Sequence, residues 1–362
     1  MLLKDLYSKE FLEELSREIR KEYSNFSEDK FVNACLATEW EDLKLMERSD
    51  VIVQKLHDQF PNDFEQTAPI LLSIGSKFTG LAATCLPNYV AKYGLNDWDV
   101  SMQVLKILTQ YSSAEFAIRP FLVKYPKITN DLMLTWSEDS NEDVRRLSSE
   151  GSRPRLPWGI RLNQYIKDPI PVMGILEKLI FDKSIYVQKS VANNLNDISK
   201  DNPEEVIKFA QRHWHQTERA DWIITHGLRT LFKQGNPEVL KLLGYDNEVL
   251  EKLKEINFGV NKSKIKIGET STLNYSFKND DKLHLPVYIG YRVHYVRQNE
   301  KHSYKDFFVK KTDLKGKQLI SGSTKIKWKQ LSTRKLYPGH HVIDLLVNTK
   351  VVASIGIELE KG

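Results

Sequence analysis

The sequence predicts a multidomain α+β protein. An all-α stack of helical pairs spans residues 1–256, and an all-β sandwich spans residues 257–362. Three observations carry this. Apolar residues recur with helical spacing from about residue 8 to 255. Breakers interrupt that pattern every 12 to 20 residues. At Asn257 the period shortens to two.

In the first segment FLEELSREI, VIVQKLHDQF, SMQVLKIL, FAIRPFLV and EVIKFAQRHW each place apolar side chains at i, i+3 and i+4, the pattern of a helix with one buried face. Pro61, Pro87, Gly94, Pro126, Pro203 and Pro237 mark the breaks. Helices of this length joined by short turns pack as antiparallel pairs. A weak repeat supports stacking. Asp201-Asn202-Pro203 recurs 34 residues later as Gly235-Asn236-Pro237, each preceded by a similar helix, with an earlier relative starting at Asp143. A period near 35 to 45 with two helices per unit is that of a HEAT-like repeat solenoid. An irregular helical bundle is the alternative.

In the second segment STLNYSFKN, PVYIGYRVHYVR, YKDFFVKK, TKIKWKQL, HHVIDLLVN and VVASIGIEL alternate or run as short β-branched stretches. Asn279-Asp280-Asp281, Lys315-Gly316 and Pro338-Gly339 supply turns. About seven short strands in ~100 residues suit an immunoglobulin-like sandwich.

Charge separates the two segments. Residues 257–362 hold 20 Lys and Arg against 9 Asp and Glu, whereas residues 1–256 hold 33 against 39. A basic module on a mildly acidic one points to a polyanionic partner for the tail. The N-terminal MLLKDLYSKEFLEELSREIRKEY reads as an amphipathic helix and not as a signal peptide, and no apolar run is long enough to span a bilayer. Cys35 and Cys85 sit among apolar residues and form neither a disulfide framework nor a metal cluster, so a cytoplasmic, nucleoid-associated protein is expected. His213 and His215 lack ligand spacing. GxxxxGK[ST], GxGxxG and GxSxG are absent, which leaves nucleotide-binding and acyl-hydrolase readings without support. No metal and no cofactor is expected.

The candidate chemistry centres on SSEGSRPRLPWGIRL, residues 148–162. Pro154 and Pro157 fix φ and push Arg153 and Leu156 toward extended conformations, so the helix ending at Glu150-Gly151 cannot run through. Such a corner aims Arg153, Arg155, Arg161 and Trp158 in set directions. Arginine makes forked contacts to phosphate, and tryptophan gives a stacking face. Read blandly, it is a linker whose arginines pair with helix carboxylates and whose tryptophan plugs the core. Glu150 lies in the last turn of a helix, where the macrodipole disfavours an acid. It is either a carboxylate kept to meet a developing cation or a salt-bridge partner for the loop. Ser112-Ser113-Ala114-Glu115 fits a capping box, with Glu115 bonding back to Ser112. Glu115 also lies one repeat before Glu150, so both could open onto one surface.

LSSEGSRPRLPWGIRL, followed by KSVANNLNDISKDNPEEV and preceded by YSSAEFAIRPFL at 111–122, resembles the AlkC group of bacterial DNA alkylation-repair glycosylases, relatives of AlkD built on HEAT-like repeats. One AlkC subgroup carries an immunoglobulin-like C-terminal domain, so the likeness of organisation covers nearly the whole chain. The resemblance implies a monofunctional glycosylase that removes cationic N-methyl bases, chiefly 3-methyladenine and 3-methylcytosine, from bent duplex DNA without flipping the base into a deep pocket. It places the active-site acids on Glu115 and Glu150 and the aromatic on Trp158. Arg153, Arg155 and Arg161 are then expected on phosphates beside the lesion, with the lysine-rich tail neutralising further phosphates. A monomer is expected. The competing reading is a non-catalytic scaffold of the same architecture that binds DNA or protein, because fold alone does not give function.

Overall fold

The computed structural model describes the chain except for Met1, Thr38, 298–301 and 332–334. The described residues form sixteen α-helices followed by eight strands, and they divide into two compact units, Met1–Gly227 and Leu228–Gly362.

The first unit is a stack of helices, in which Ile185–Ile198 packs on both Glu142–Gly151 and Glu218–Gly227. Some breakers end a helix, as Gly94 does after Cys85–Tyr93, and others start one. Pro126 and Pro203 are first helical residues, where a missing N–H costs nothing. Pro87 differs from expectation: it lies within the first turn of Cys85–Tyr93 and does not separate two helices. Two helices position the candidate site. Glu142–Gly151 is capped by Asn141, whose Oδ1 accepts from Asp143 N at 2.8 Å, and Ile185–Ile198 is capped by Ser184. Each such cap stabilises its helix by about 1 kcal/mol. Arg145 makes a forked pair with Asp182 (2.6 and 3.1 Å) and ties the starts of these helices together. At the other end, a Cβ on Gly151 would lie 2.5 Å from Ile118 Cγ2, so only glycine admits this approach. Ile185–Ile198 is buried nearly all round, yet Ser190, Asn194 and Asp197 lie inside it at intervals of four and three residues. That spacing makes one polar face, and it meets Glu142–Gly151 and the corner beyond. Cys35 and Cys85 are buried thiols of this unit.

The second unit is a sandwich of two sheets. β1 (Leu253–Val260), β3 (Thr270–Asn279) and β6 (Leu319–Lys327) form one. β2 (Lys264–Lys266), β4 (Leu285–Val296), β5 (His302–Leu314), β7 (Gly339–Val347) and β8 (Lys350–Glu360) form the other, in the order β2-β8-β7-β4-β5. All pairs are antiparallel except β2 with β8. Phe277, Val287, Ile289 and Leu345 pack between the sheets toward one end, and Tyr295, Trp328, Ile343 and Leu359 toward the other. Period two turns Ile326 and Trp328 inward and leaves Lys325, Lys327 and Lys329 exposed. The short helices Arg229–Lys233 and Pro237–Leu242, which helical periodicity groups with residues 1–256, cluster with the strands. The Phe232 ring packs edge-on to Tyr288 of β4 at 4.8 Å, and the Lys311 ammonium of β5 lies 5.7 and 5.4 Å from the Phe232 and Tyr245 rings.

Candidate active site

Glu115 does not form the expected capping box. Residues 112–118 run through bends and turns, and the helix begins only at Arg119. The Ser112 hydroxyl donates to the Gly80 carbonyl at 2.9 Å instead. The Glu115 carboxylate is thereby released from the backbone. It accepts from Ser113 Oγ at 2.8 Å and pairs with Arg146. Arg146 also donates to Ser113 Oγ (2.6 Å), stacks 4.8 Å from the Tyr186 ring and comes within 3.6 Å of Glu150.

Glu150 is 6% exposed. One oxygen accepts from Arg153 Nη1 at 2.6 Å and the other from Ser190 Oγ at 2.6 Å. Beyond it Arg153 bonds Asp197 through Nε at 2.8 Å. Glu115, Arg146, Glu150, Arg153, Asp197 and Lys200 therefore form one row of alternating charge, three acids against three bases, with Glu115 at its cleft end. Burial alone would push the Arg153 guanidinium down; Glu150 and Asp197 outweigh it and hold it above its ordinary value.

Arg153, expected on a phosphate, is 8% exposed and lines the same cleft as Glu150, with its donors paired to Glu150 and Asp197. Arg155 makes a forked pair with Asp201 (2.8 and 2.7 Å) at the surface. Arg161 is exposed.

Trp158 does not plug the core. It is 63% exposed and lines a cleft of about 470 Å³ together with Glu115, Glu150, Asp143 and Tyr186. Leu156-Pro157-Trp158-Gly159 is a β-turn closed by Gly159 N donating to Leu156 O at 3.2 Å, with Trp158 at φ 65°. Proline second and a positive φ third define a type II turn, whose third position favours glycine. Tryptophan there costs about 1–2 kcal/mol. Burial, and then the Glu142 carboxylate, raises Asp143 above its ordinary value.

Residues 75–231 match the family model described as "DNA alkylation repair enzyme", and residues 254–361 match that described as "Uncharacterised protein YhaZ, C-terminal Ig-like domain". The chain is 37% identical to YhaZ of Bacillus subtilis (strain 168) over 99% of each chain. Its fold superposes with TM-score 0.94 and 35% identity on the Pseudomonas fluorescens alkylpurine DNA glycosylase AlkC, solved bound to DNA containing an abasic site analog, covering 99% of this chain and 100% of that one. The chain belongs to the AlkC-type DNA alkylation repair enzyme family.

Besides Glu115, Glu150 and Trp158, the fold brings Arg146, Tyr186, Ser190 and Asp197 to the cleft or directly behind it, and nothing in the sequence singles these four out as a group. Arg146 carried one signal, since it lies four residues before Glu150, a helical ion-pair spacing. Asp197 carried only the local spacing to Lys200, three residues on, which says nothing of Arg153, 44 residues away. Among the described residues no group of three or more His, Cys, Asp or Glu could hold a metal ion, and no helix is long and apolar enough to cross a membrane.

Proposed function

We propose that this chain is a monofunctional DNA glycosylase that excises cationic N-alkylated bases, 3-methyladenine and 3-methylcytosine among them, from duplex DNA. The observation that carries the reading is the pair of carboxylates, Glu115 and Glu150, sharing one cleft with the exposed ring of Trp158. The AlkC likeness over the whole chain supports it.

A base methylated at N3 is already positive, so it leaves with the glycosidic electron pair as a neutral molecule and needs no acid to protonate it. The charge then builds on the deoxyribose. Glu115 and Glu150, the two acids of the row that line the cleft, put negative charge beside an oxocarbenium-like C1′. In a site that is partly closed to water this attraction gains strength. Either glutamate can orient the water that adds to C1′. Trp158 covers the sugar or the lesion with an aromatic face. A neutral, undamaged base lacks the leaving-group advantage, so selectivity arises in the chemical step. No lysine nucleophile takes part, and the phosphodiester strand stays intact.

Arg155 and Arg161 are proposed to contact phosphates beside the lesion, and the exposed lysines of the sandwich to neutralise others. The test is to incubate the purified chain, as a monomer, with duplexes each carrying one defined lesion and to follow free base by chromatography. Release of cationic bases without strand cleavage is expected. Binding to these duplexes with no base released by excess protein identifies a scaffold and ends the glycosylase reading.

A further inference from the structure

Arg119 is 0% exposed, and among the described residues its guanidinium meets backbone carbonyls rather than a carboxylate. Nη1 donates to Gly151 O and Arg153 O, both at 2.8 Å; Nε donates to Ile160 O at 2.7 Å, and Nη2 donates to the same oxygen. One side chain thus ties the start of the corner to its end. Burial, and then the nearby Arg153, lower its ordinary value to about 10, so the site holds a cation at a real desolvation cost without a direct ion pair. Ordinary packing would favour an apolar side chain here.

What lies between the two tethered ends is the strained turn. Trp158 occupies a position suited to glycine, and Gly159 beside it is where a Cβ would lie 3.1 Å from Arg119 Nε and 3.1 Å from Leu156 Cδ2. The turn and the guanidinium are therefore fitted to each other. Arg119 also opens the helix that follows the Glu115 turn, so the same residue connects the segment of the first acid to the loop of the aromatic.

We propose that Arg119 is a positioning residue that locks residues 151–160 so that Trp158 stays at the wall of the cleft lined by Glu115 and Glu150. It touches neither base nor sugar and acts through the indole. This rests on the glycosylase reading of the cleft, and the experiment separates the two.

Arg119→Lys keeps the charge but cannot span both ends of the loop. In single-turnover base release it is expected to lose about a hundredfold, while affinity for a duplex with an abasic-site analogue changes less than about threefold. A double-mutant cycle with Trp158→Ala supplies the readout that a general loss of structure would not move. If Arg119 works through Trp158, adding Arg119→Lys to Trp158→Ala costs nothing further. Losses that multiply, or wild-type release by Arg119→Lys, overturn the proposal. Fluorine NMR of fluorotryptophan-labelled chain, with the Trp158 signal assigned by its loss in Trp158→Phe, reports the ring directly. A shifted or broadened signal in Arg119→Lys is expected, and an unchanged one overturns the clamp even when the wild type releases no base, an outcome that fails the glycosylase reading alone. Should Arg119→Lys fail to fold, Gly159→Ala presses on the same contact from the loop side and is expected to give the same loss and the same displaced signal; wild-type behaviour there is equally fatal.

Discussion

Glu115 and Glu150, far apart in sequence, share one guanidinium: Arg146 pairs with the first and reaches within 3.6 Å of the second. Two carboxylates brought to one cleft would repel each other. The arginine between them offsets that repulsion.

Glu150→Gln keeps the shape and the Ser190 contact but removes the charge. Release of 3-methyladenine should fall by about 10²-fold or more, with binding to abasic-analogue duplex retained. Undiminished single-turnover release would remove Glu150 from the mechanism.

Glu115→Gln should likewise lose release, by at least about tenfold. Because Glu115 caps no helix, Glu115→Ala should unfold within about 0.5 kcal/mol of Glu115→Gln. A markedly less stable alanine variant in urea titration would show that the side chain has a structural duty after all.

Arg153→Ala takes the shared guanidinium from two buried carboxylates, leaving Glu150 with Ser190 and Arg146 and Asp197 with Lys200. Removing one member of a buried ion-pair network costs about 3–5 kcal/mol. Chemical denaturation should register a loss of that size; a loss like that of a surface substitution would mean the pairs are open to solvent.

Asp143 gives a pH signature. Its carboxyl is raised in the folded state, mainly by burial, so the fold holds that proton to higher pH than the unfolded chain does. Stability is then greatest below the unfolded-state value and declines as pH rises through the folded one. Asp143→Asn removes the decline. Its melting temperature relative to wild type should be higher near pH 7 than near about pH 3. An equal difference at both pH values contradicts this.

In the sandwich, Lys325, Lys327 and Lys329 point outward. Replacing all three with alanine should weaken DNA binding and flatten the slope of log affinity against log salt, by up to about 0.9 for each phosphate no longer neutralised. An unaltered slope would show that this strand does not meet the duplex.

Much of this was legible in the sequence, for reasons that differ by residue. Pro126 and Pro203 announce breaks, and each is a first helical residue, because a backbone N–H is not needed there. Pro154 and Pro157 announce the corner because proline acts on its own backbone. The Ser112–Glu115 capping box was misleading because the Ser112 hydroxyl finds the Gly80 carbonyl, 32 residues away. The pairing of Arg153 with Asp197 is hidden because the two lie 44 residues apart. The helices at 229–242 carry helical period but give no hint that Phe232 packs on a strand. Local rules reach only as far as the next turn; partner choice across the fold is decided by packing.

The buried cysteines bear on how such a protein survives its own task. Both thiols are pushed up to about 12, chiefly by burial, and it is the thiolate that attacks electrophiles. A repair protein meets the same methylating agents that damage its substrate. Cys35 and Cys85, held protonated and out of reach, give those agents no sulfur nucleophile of this kind to consume, so catalytic capacity should outlast an exposure that scars the genome around it.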